Sequence, residues 1–202
     1  MNRQKIYSYI AGSLFFLTGI YLSVYKKEPH FYTLFSIGAL IIFVNIYNSI
    51  TKKDLFKNKK ELLFFSVILL MECIIIDNIG MYLGYWGYQY SGFFDNFLKY
   101  VFEWAVPLVY SMVLLMIGKE IFNKKFKKNL SFILSLLIFI TLFGLFTEYI
   151  NLFSDSWIIL NMPITNYKIG GFFIIFQTIG YWLIALIPWI TYKIIRKANL
   201  DF

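Results

Sequence analysis

Six long apolar segments, separated by short polar ones, make up most of this chain of 202 residues. They cover residues 5–25, 31–50, 62–83, 97–117, 130–150 and 170–195. Each is about 20 residues or longer, the length that an α-helix needs to cross the hydrocarbon core of a bilayer. The pattern therefore predicts an all-α integral membrane protein, with six transmembrane helices in a single domain that covers residues 1–202.

The overall composition supports this class. Hydrophobic residues make up 59% of the chain and charged residues only 15%, a balance that a soluble domain of this size could not bury around one core. No polar stretch is long enough to form a second globular unit. The one cysteine, Cys73, lies inside an apolar segment, so the sequence offers neither a disulfide framework nor a cysteine-based metal site.

The basic residues lie mostly on alternate sides of the segments. The larger group is Arg3, Lys5, Lys52, Lys53, Lys57, Lys59, Lys60, Lys119, Lys124, Lys125, Lys127, Lys128, Lys193, Arg196 and Lys197, and the smaller group is Lys26, Lys27, Lys99 and Lys168. Because cytoplasmic loops carry an excess of Lys and Arg, we expect a multi-pass protein of the cell membrane with both termini in the cytoplasm. Anionic membrane lipids beside these lysines explain the formal charge of +8, and we expect no nucleic-acid partner.

Three acidic residues are predicted to lie at a similar depth in the membrane. With a rise of about 1.5 Å per residue, Asp77 and Glu103 fall in the outer parts of the third and fourth segments, and Glu148 near the outer end of the fifth. Acids are costly in a bilayer and mark functional sites there, so we expect a carboxylate-bearing pocket in the outer half of the bundle. Glu72 falls near mid-bilayer, where it either bonds a neighbour such as Asn45 or lines a polar path.

The same spacing of acid and tryptophan occurs twice. Asp77 precedes Trp86 by nine residues, and Glu148 precedes Trp157 by the same nine. In both places the acid lies near the end of an apolar segment and the Trp just beyond it, where a membrane helix meets water. The spacing favours an internal repeat in which helices three and four form one half and helices five and six form a second, degenerate half.

Aromatic residues are concentrated at the same predicted depth. Trp86, Tyr88, Trp104 and Trp157 all fall at or near the outer ends of helices three to six. Such residues are typical of the aromatic belt at a membrane interface. They could equally surround a cationic intermediate, because the face of a Trp or Tyr ring attracts a cation. A protonated acid among aromatic rings is the arrangement that protonates an alkene and stabilises the resulting carbocation.

One motif in this region resembles that of a known family. The residues from Asp77 to Tyr88 read Asp-Asn-Ile-Gly-Met-Tyr-Leu-Gly-Tyr-Trp-Gly-Tyr. They resemble the signature of the lycopene cyclase domain, the membrane-bound carotenoid cyclases of bacteria, archaea and fungi. That signature is an Asp at the end of a helix, then Gly, one residue, Trp, one residue and an aromatic. Asp77, Gly84, Trp86 and Tyr88 match it in identity and spacing.

The chain also departs from the family's pattern. The family's next helix opens with a Pro and paired acids followed by an aromatic, whereas this chain keeps one acid, Glu103, with Trp104 after it. Glu148 and Trp157 would form the related copy in the second half, but the aromatic two residues after Trp157 is missing. Where the sixth helix would supply an acid, the chain offers Gln177 or aromatic residues.

The acids and the resemblance together predict an isoprenoid or carotenoid cyclase embedded in the membrane. Such an enzyme cyclises or isomerises a lipid-soluble polyene through a carbocation without a redox change, so we expect no cofactor. The predicted catalytic residues are Asp77 and Glu103, as acid and as base or cation stabiliser, with Glu148 in support. The predicted substrate-binding residues are Trp86, Tyr88, Trp104, Trp157 and Gln177. Because the chain has one histidine and one cysteine, we predict no metal site.

A second hypothesis belongs to another class of function. Glu72, Asp77 and Glu148 would form the path of a small proton- or cation-coupled transporter, since matching acids in paired helices are also typical of transporters built from repeats. A lipid-binding membrane protein without catalysis belongs to the same alternative. The degenerate second half could also require a homodimer or a partner subunit for activity.

Several of these residues also have simpler structural interpretations. Glu103 follows Lys99 by four residues and could form an ion pair with it along the helix. Gly80 and Gly84 could serve close helix packing as a small-xxx-small pair. His30 lies in the short loop between the first two helices and is predicted to be exposed rather than a ligand.

Overall fold

Six long helices form the protein in the computed structural model, which describes residues 3–56, 59–89, 92–160 and 174–197. The helices are α1 (Arg3–Lys26), α2 (Phe31–Thr51), α3 (Lys59–Tyr82), α4 (Phe93–Phe122), α5 (Lys128–Asn151) and α6 (Ile174–Lys197). Each contains a stretch long and apolar enough to cross a membrane, which confirms the predicted class of a multi-pass helical protein. Lys57, Lys168 and the predicted start of the sixth segment at Gly170 lie outside the described residues.

Helix α4 is the centre of the bundle. In its most apolar stretch 61% of the residues are buried, against 33% or less in each of the other five helices. It packs against α2, α3, α5 and α6, and its side chains Leu108, Met112 and Leu115 are fully covered. The surrounding helices expose large apolar side chains outward, which suits helices whose neighbours are lipid tails.

The two ends of the bundle are closed by different contacts. At one end Tyr192 of α6 donates a hydrogen bond to the carbonyl of Leu55, 2.7 Å away, in the lysine-rich connection after α2. At the other end Ser156, which follows α5, donates to the carbonyl of Pro29 in the loop after α1. The connections after α1, α3 and α5 therefore meet at the end opposite the lysine-rich turns. Which end faces the cytoplasm stays a prediction from the basic residues.

Two short strands pair at this second end, within the described ranges. They are β1 (Trp86–Tyr88) and β2 (Trp157–Ile159), which run antiparallel with Tyr88 opposite Trp157. The turn from α3 into β1 contains Gly84, whose φ of +69° lies in the left-handed region that favours glycine. The sequence pattern does not predict these strands, because three residues are too few for a period-two signal.

A π-helical stretch, Lys99–Ala105, interrupts α4 just before Pro107. Proline has no N–H to donate to the preceding turn, so the regular hydrogen-bond ladder gives way there. In a π-helix each N–H bonds the carbonyl five residues earlier, so the turn is wider than that of an α-helix. Lys99 and Glu103, four residues apart in this stretch, contact different helices, α3 and α2.

Candidate functional site

A cavity of about 360 Å³ lies among α3, α4, α5 and α6, at the end of the bundle that carries the strands. Its lining is mostly apolar and aromatic with a few polar groups, the usual character of a small-molecule site. The volume is near the lower end of the range for such sites, which is about 300–1,000 Å³. The cavity is the candidate functional site.

The predicted site residues, apart from Asp77, line this cavity. They are Trp86, Tyr88, Glu103, Trp104, Glu148, Trp157 and Gln177. The other lining residues are Tyr32, Ile76, Pro107, Leu108, Ile159, Ile179, Gly180, Tyr181, Leu183, Ile184 and Ile187. Side chains from both halves of the chain thus face one shared space.

The strands direct the aromatic motif into the cavity. Successive side chains of a strand point to opposite faces, so Trp86 and Tyr88 share the face that lines the cavity. The paired strand repeats the arrangement, with Trp157 and Ile159 in the lining and Ile158 exposed between them. In the motif, the Trp and the aromatic residue are two positions apart because they must point to the same face of the strand. In β2 the residue two positions after Trp157 is Ile159, where β1 has Tyr88.

Asp77 is not among the residues that line the cavity, and its fully buried side chain lies in a polar network beside it. Its Oδ1 accepts hydrogen bonds from Trp86 Nε1 at 3.0 Å and from the Tyr88 hydroxyl at 2.6 Å. Its Oδ2 forms an ion pair with Lys99 Nζ at 3.0 Å, and Lys99 is also buried. Trp104 Nε1 donates in turn to the Tyr88 hydroxyl at 2.7 Å. The Asp77 carboxylate thereby fixes aromatic rings of the cavity wall.

The absence of a side chain at Gly80 makes room for the Trp86 indole ring. A methyl group on Gly80 would collide with the indole ring of Trp86. Since that indole must lie against α3 to reach Asp77, a residue without a side chain is needed one turn after the acid. Gly80 therefore serves the Trp86 contact rather than the predicted packing of one helix against another.

The Glu148 carboxylate is oriented by neutral donors. Trp157 Nε1 lies 3.2 and 3.3 Å from its two oxygens, and the Tyr181 hydroxyl donates to Oε1 at 2.9 Å. The buried Gln177 side chain belongs to the same part of the cavity lining. In both halves the Trp nine residues after the acid thus returns to bind that acid. The halves differ because Glu148 itself reaches the cavity, whereas Asp77 does not.

Glu103 has partners other than the predicted Lys99. Lys99 binds Asp77, and its ammonium group lies 4.6 Å from the centroid of the Tyr88 ring. Glu103 faces α2, where the Thr33 hydroxyl donates to its Oε1 at 3.1 Å. The predicted helical ion pair is wrong, because Lys99 pairs with Asp77 of α3 instead.

His30 is not the exposed loop residue that the sequence predicts. Its Nδ1 lies 3.2 Å from Glu103 Oε1, and its Nε2 lies 3.2 Å from Asp95 Oδ1. The loop after α1 folds against the beginning of α4, which partly buries the imidazole ring. This long-range contact leaves no periodic signal in the sequence.

Glu72 lies outside the described lining of the cavity. The Thr191 hydroxyl of α6 donates to its Oε1 at 2.8 Å. The predicted partner, Asn45, donates instead to Ser8 at 2.7 Å and to the carbonyl of Ile41 at 2.9 Å. The suggested bond between Glu72 and Asn45 is therefore wrong.

Tyr32 is a lining residue that the sequence analysis missed. Its ring lies 4.9 Å from that of Trp157, centroid to centroid, and its hydroxyl lies 2.5 Å from that of Tyr110. It lies in the first turn of α2, outside the motif, so only its position in the fold connects it with the site. By contrast, Tyr82 and Tyr149 face outward, as residues of an aromatic belt do.

The cavity extends to the outer surface of the helix bundle. Ile179 and Leu183 of α6 line it, although about half of each residue is exposed. Ile76 of α3 lines the same side and is partly exposed. Because this surface belongs to membrane-spanning helices, a hydrophobic molecule in the bilayer can reach the cavity from the side.

The described part of the chain has no group of three or more His, Cys, Asp or Glu side chains placed to hold a metal ion. The cavity lining itself carries the two acidic residues Glu103 and Glu148, the amide residue Gln177 and a set of Trp and Tyr rings. No family model, curated protein or solved structure matches this chain, and its resemblance to the lycopene cyclase domain stays a prediction.

Proposed function

We propose that this multi-pass membrane protein is a cyclase or isomerase of a lipid-soluble polyene, of the isoprenoid or carotenoid class. The observation that carries the proposal is that two acidic residues, Glu103 and Glu148, line one cavity together with aromatic rings. One carboxylic acid can protonate a carbon–carbon double bond, and a second carboxylate can remove a proton from the cation that forms. The product is an isomer of the substrate, and no electrons are gained or lost.

The aromatic rings supply the stabilisation that a carbocation needs. Trp86 and Trp104 lie 6.0 Å apart, centroid to centroid, and both line the cavity. The face of an indole ring attracts a cation, and this attraction grows when water is excluded. An apolar wall also keeps water from trapping the cation as an alcohol.

The network gives the acids different roles in this proposal. Glu103 and Glu148 are the catalytic residues in this proposal, because both line the cavity. Asp77 is a positioning residue, which holds Trp86 and Tyr88 at the cavity wall. The order of proton transfer between the two catalytic acids stays open, since two acids that share one site titrate as a pair.

The size and opening of the cavity favour a long hydrophobic substrate. A volume of about 360 Å³ holds one end of an extended polyene rather than the whole molecule. The rest of the chain can stay in the bilayer beside Ile179 and Leu183. Gln177, with its side chain buried at the cavity, supplies one of the few polar contacts for the bound end.

Product analysis tests the proposal directly. Purified protein in lipid nanodiscs is incubated with lycopene, and the products are separated by chromatography and compared in mass with the substrate. We expect a product of unchanged mass with fewer acyclic double bonds. Glu103→Gln and Glu148→Gln should each lower turnover by at least about 10²-fold, the size of a general acid–base contribution.

Glu72→Gln is the matched control for these variants. It replaces another acid within a membrane helix, but one that binds Thr191 away from the cavity. Turnover should be unchanged. Loss of turnover in Glu72→Gln would contradict the assignment of catalysis to the two acids that line the cavity. If instead no isomer is ever formed and Glu72→Gln abolishes a pH-dependent proton flux in liposomes, the transporter hypothesis replaces the cyclase.

The lipid that copurifies with the protein gives a second test. Mass spectrometry of protein purified in mild detergent should find an enriched isoprenoid or carotenoid, which Trp86→Ala loses. The same bulk phospholipid in both samples would contradict the proposed substrate class.

A further inference from the structure

We infer that His30 carries protons between water and the cavity carboxyl of Glu103, in a relay that runs Asp95, His30, Glu103. The inference rests on the proposed function, in which a cavity acid that has given its proton to the substrate must be reprotonated. The inference also assigns the direction of proton transfer between the two catalytic acids. Glu103 is the proton donor to the substrate, and Glu148 is the acceptor.

The imidazole ring bridges two carboxyl groups of α4. Its Nε2 lies 3.2 Å from Asp95 Oδ1, and its Nδ1 lies 3.2 Å from Glu103 Oε1. The two acids are eight residues apart on the same helix, about two turns, and His30 reaches both from the loop before α2. One ring nitrogen thus faces each acid.

Exposure falls steadily along the three side chains. Asp95 is 31% exposed, His30 22% and Glu103 4%. The Asp95 end can therefore exchange protons with water at the end of the bundle, while Glu103 is nearly closed off from it. Glu103 in turn lines the cavity. The His30 imidazole therefore connects the water-exposed Asp95 with the buried Glu103.

A neutral imidazole can take up a proton at one nitrogen and release one from the other. In the proposed step, Asp95 receives a proton from water and passes it to His30 Nε2. The proton on Nδ1 then moves to Glu103 Oε1, which leaves the ring neutral in its other tautomer. Ring rotation or a second exchange with water restores the first tautomer. Charge and protons balance within this step. Over a full turnover, Glu148 must also release to water the proton that it takes from the substrate cation, so one proton enters from water and one returns to it, and no other reactant is required.

Thr33 and the Asp77–Lys99 pair complete the surroundings of the relay. The Thr33 hydroxyl donates to the Glu103 oxygen that His30 also faces, at 3.1 Å, and so holds the carboxyl toward the ring. The Thr33 hydroxyl has no described contact with Asp95, so it does not join the two ends of the relay. Asp77 and Lys99 form a separate ion pair at 3.0 Å near this part of the cavity.

Nuclear magnetic resonance can test the relay without any substrate. His30 is the only histidine of the chain, so protein labelled with ¹⁵N-histidine in nanodiscs gives the two ring-nitrogen signals of this residue alone. Glu103→Gln should shift mainly the Nδ1 signal, and Asp95→Asn mainly the Nε2 signal. Asp155→Asn is the control, since Asp155 is exposed in the loop after α5 at a positive φ that Asn tolerates. If neither acid variant moves either signal, the relay is wrong.

Turnover measurements test proton transfer itself. His30→Ala should slow multiple turnovers of lycopene by about 10²-fold, and added imidazole should restore a large part of the rate, because a small base can replace the missing ring. Thr33→Val, which loses a bond to the same Glu103 oxygen, should show no response to imidazole. A His30→Ala variant with wild-type turnover, or one that imidazole does not restore, would leave His30 with a structural role only.

The two experiments separate this inference from the proposed function. If lycopene is not cyclised by the wild type but the two ring signals respond as expected, the cyclase assignment fails and the proton connection to Glu103 stands. If lycopene is cyclised and His30→Ala keeps full turnover, the cyclase assignment stands and the relay is overturned.

Discussion

Lys99 Nζ lies 3.0 Å from Asp77 Oδ2, and both side chains are buried. The acid that the sequence motif singles out is thus neutralised by a lysine from the next helix. The mutual attraction of two buried opposite charges offsets the cost of removing them from water. If one of them is removed, the other remains as an uncompensated buried charge. This pair joins α3 to the π-helical part of α4, on which Glu103 and Trp104 lie.

Loss of the Asp77 charge should therefore destabilise the protein more than it changes the chemistry. We expect Asp77→Asn to lower the free energy of unfolding by about 3–5 kcal/mol, because Lys99 remains as an unpaired buried charge. The double variant Asp77→Asn with Lys99→Met should recover a large part of that loss. Unfolding in detergent, followed by tryptophan fluorescence, measures both. Equal stability of the single and double variants would contradict a coupled pair.

A methyl group on Gly80 should disrupt the cavity wall. Gly80→Ala drives a Cβ into the Trp86 indole and should displace it from Asp77, with a loss of stability of about 1–3 kcal/mol, as is typical of overpacking. Gly180→Ala is the matched control, since a Cβ there meets nothing within 4 Å and a helical alanine is favoured over glycine by about 1 kcal/mol. In thermal unfolding, the melting temperature should fall for Gly80→Ala and rise for Gly180→Ala.

The hydrogen bond from Trp157 to Glu148 should matter more for turnover than for substrate binding. Trp157→Phe keeps an aromatic ring at the cavity but removes the N–H donor to the carboxylate. We expect turnover of lycopene to fall by about tenfold, equivalent to about 1.4 kcal/mol, with little change in the amount of bound polyene. Trp189→Phe, outside the described lining of the cavity, is the control and should leave both quantities unchanged.

The pairing of the two strands can be trapped by a disulfide. Gly87 and Ile158 are direct partners, and paired antiparallel residues have Cα atoms about 4.5–5.5 Å apart, within the range for a disulfide. Gly87→Cys with Ile158→Cys, in a Cys73→Ala background, should form the bond on mild oxidation. Gly87 can accept the change, since the nearest atom to an added Cβ is 3.5 Å away. Mass spectrometry after thiol alkylation counts the free thiols. Gly87→Cys with Asp155→Cys should stay reduced.

The orientation in the membrane is testable with single cysteines. Lys125→Cys and Asp155→Cys place one exposed thiol at each end of the bundle, again without Cys73. If the lysine-rich end is cytoplasmic, a membrane-impermeant maleimide added to intact cells should label Asp155→Cys but not Lys125→Cys. Both should react after the cells are broken. The reverse pattern would place the cavity end in the cytoplasm.

The pattern of apolar residues by itself determined the membrane class, the number of helices and their approximate ends. This was possible because a bilayer imposes a fixed length and a fixed hydrophobicity on any helix that crosses it. The equal spacing of Asp77 to Trp86 and of Glu148 to Trp157 was also meaningful in the chain alone. Each Trp returns to its acid, because a helix end, a short turn and a strand fold back over nine residues in both halves.

Only the tertiary structure decided what each acid faces. Lys99 pairs with Asp77 of α3, and Glu103 contacts Thr33 of α2, although the two residues are only four apart on one helix. The loop that brings His30 against Glu103 acts across 73 residues of sequence. Contacts of this kind depend on the rotation of each helix about its own axis and on the path of the loops. Both are set by the packing of all six helices together rather than by any local pattern of residues.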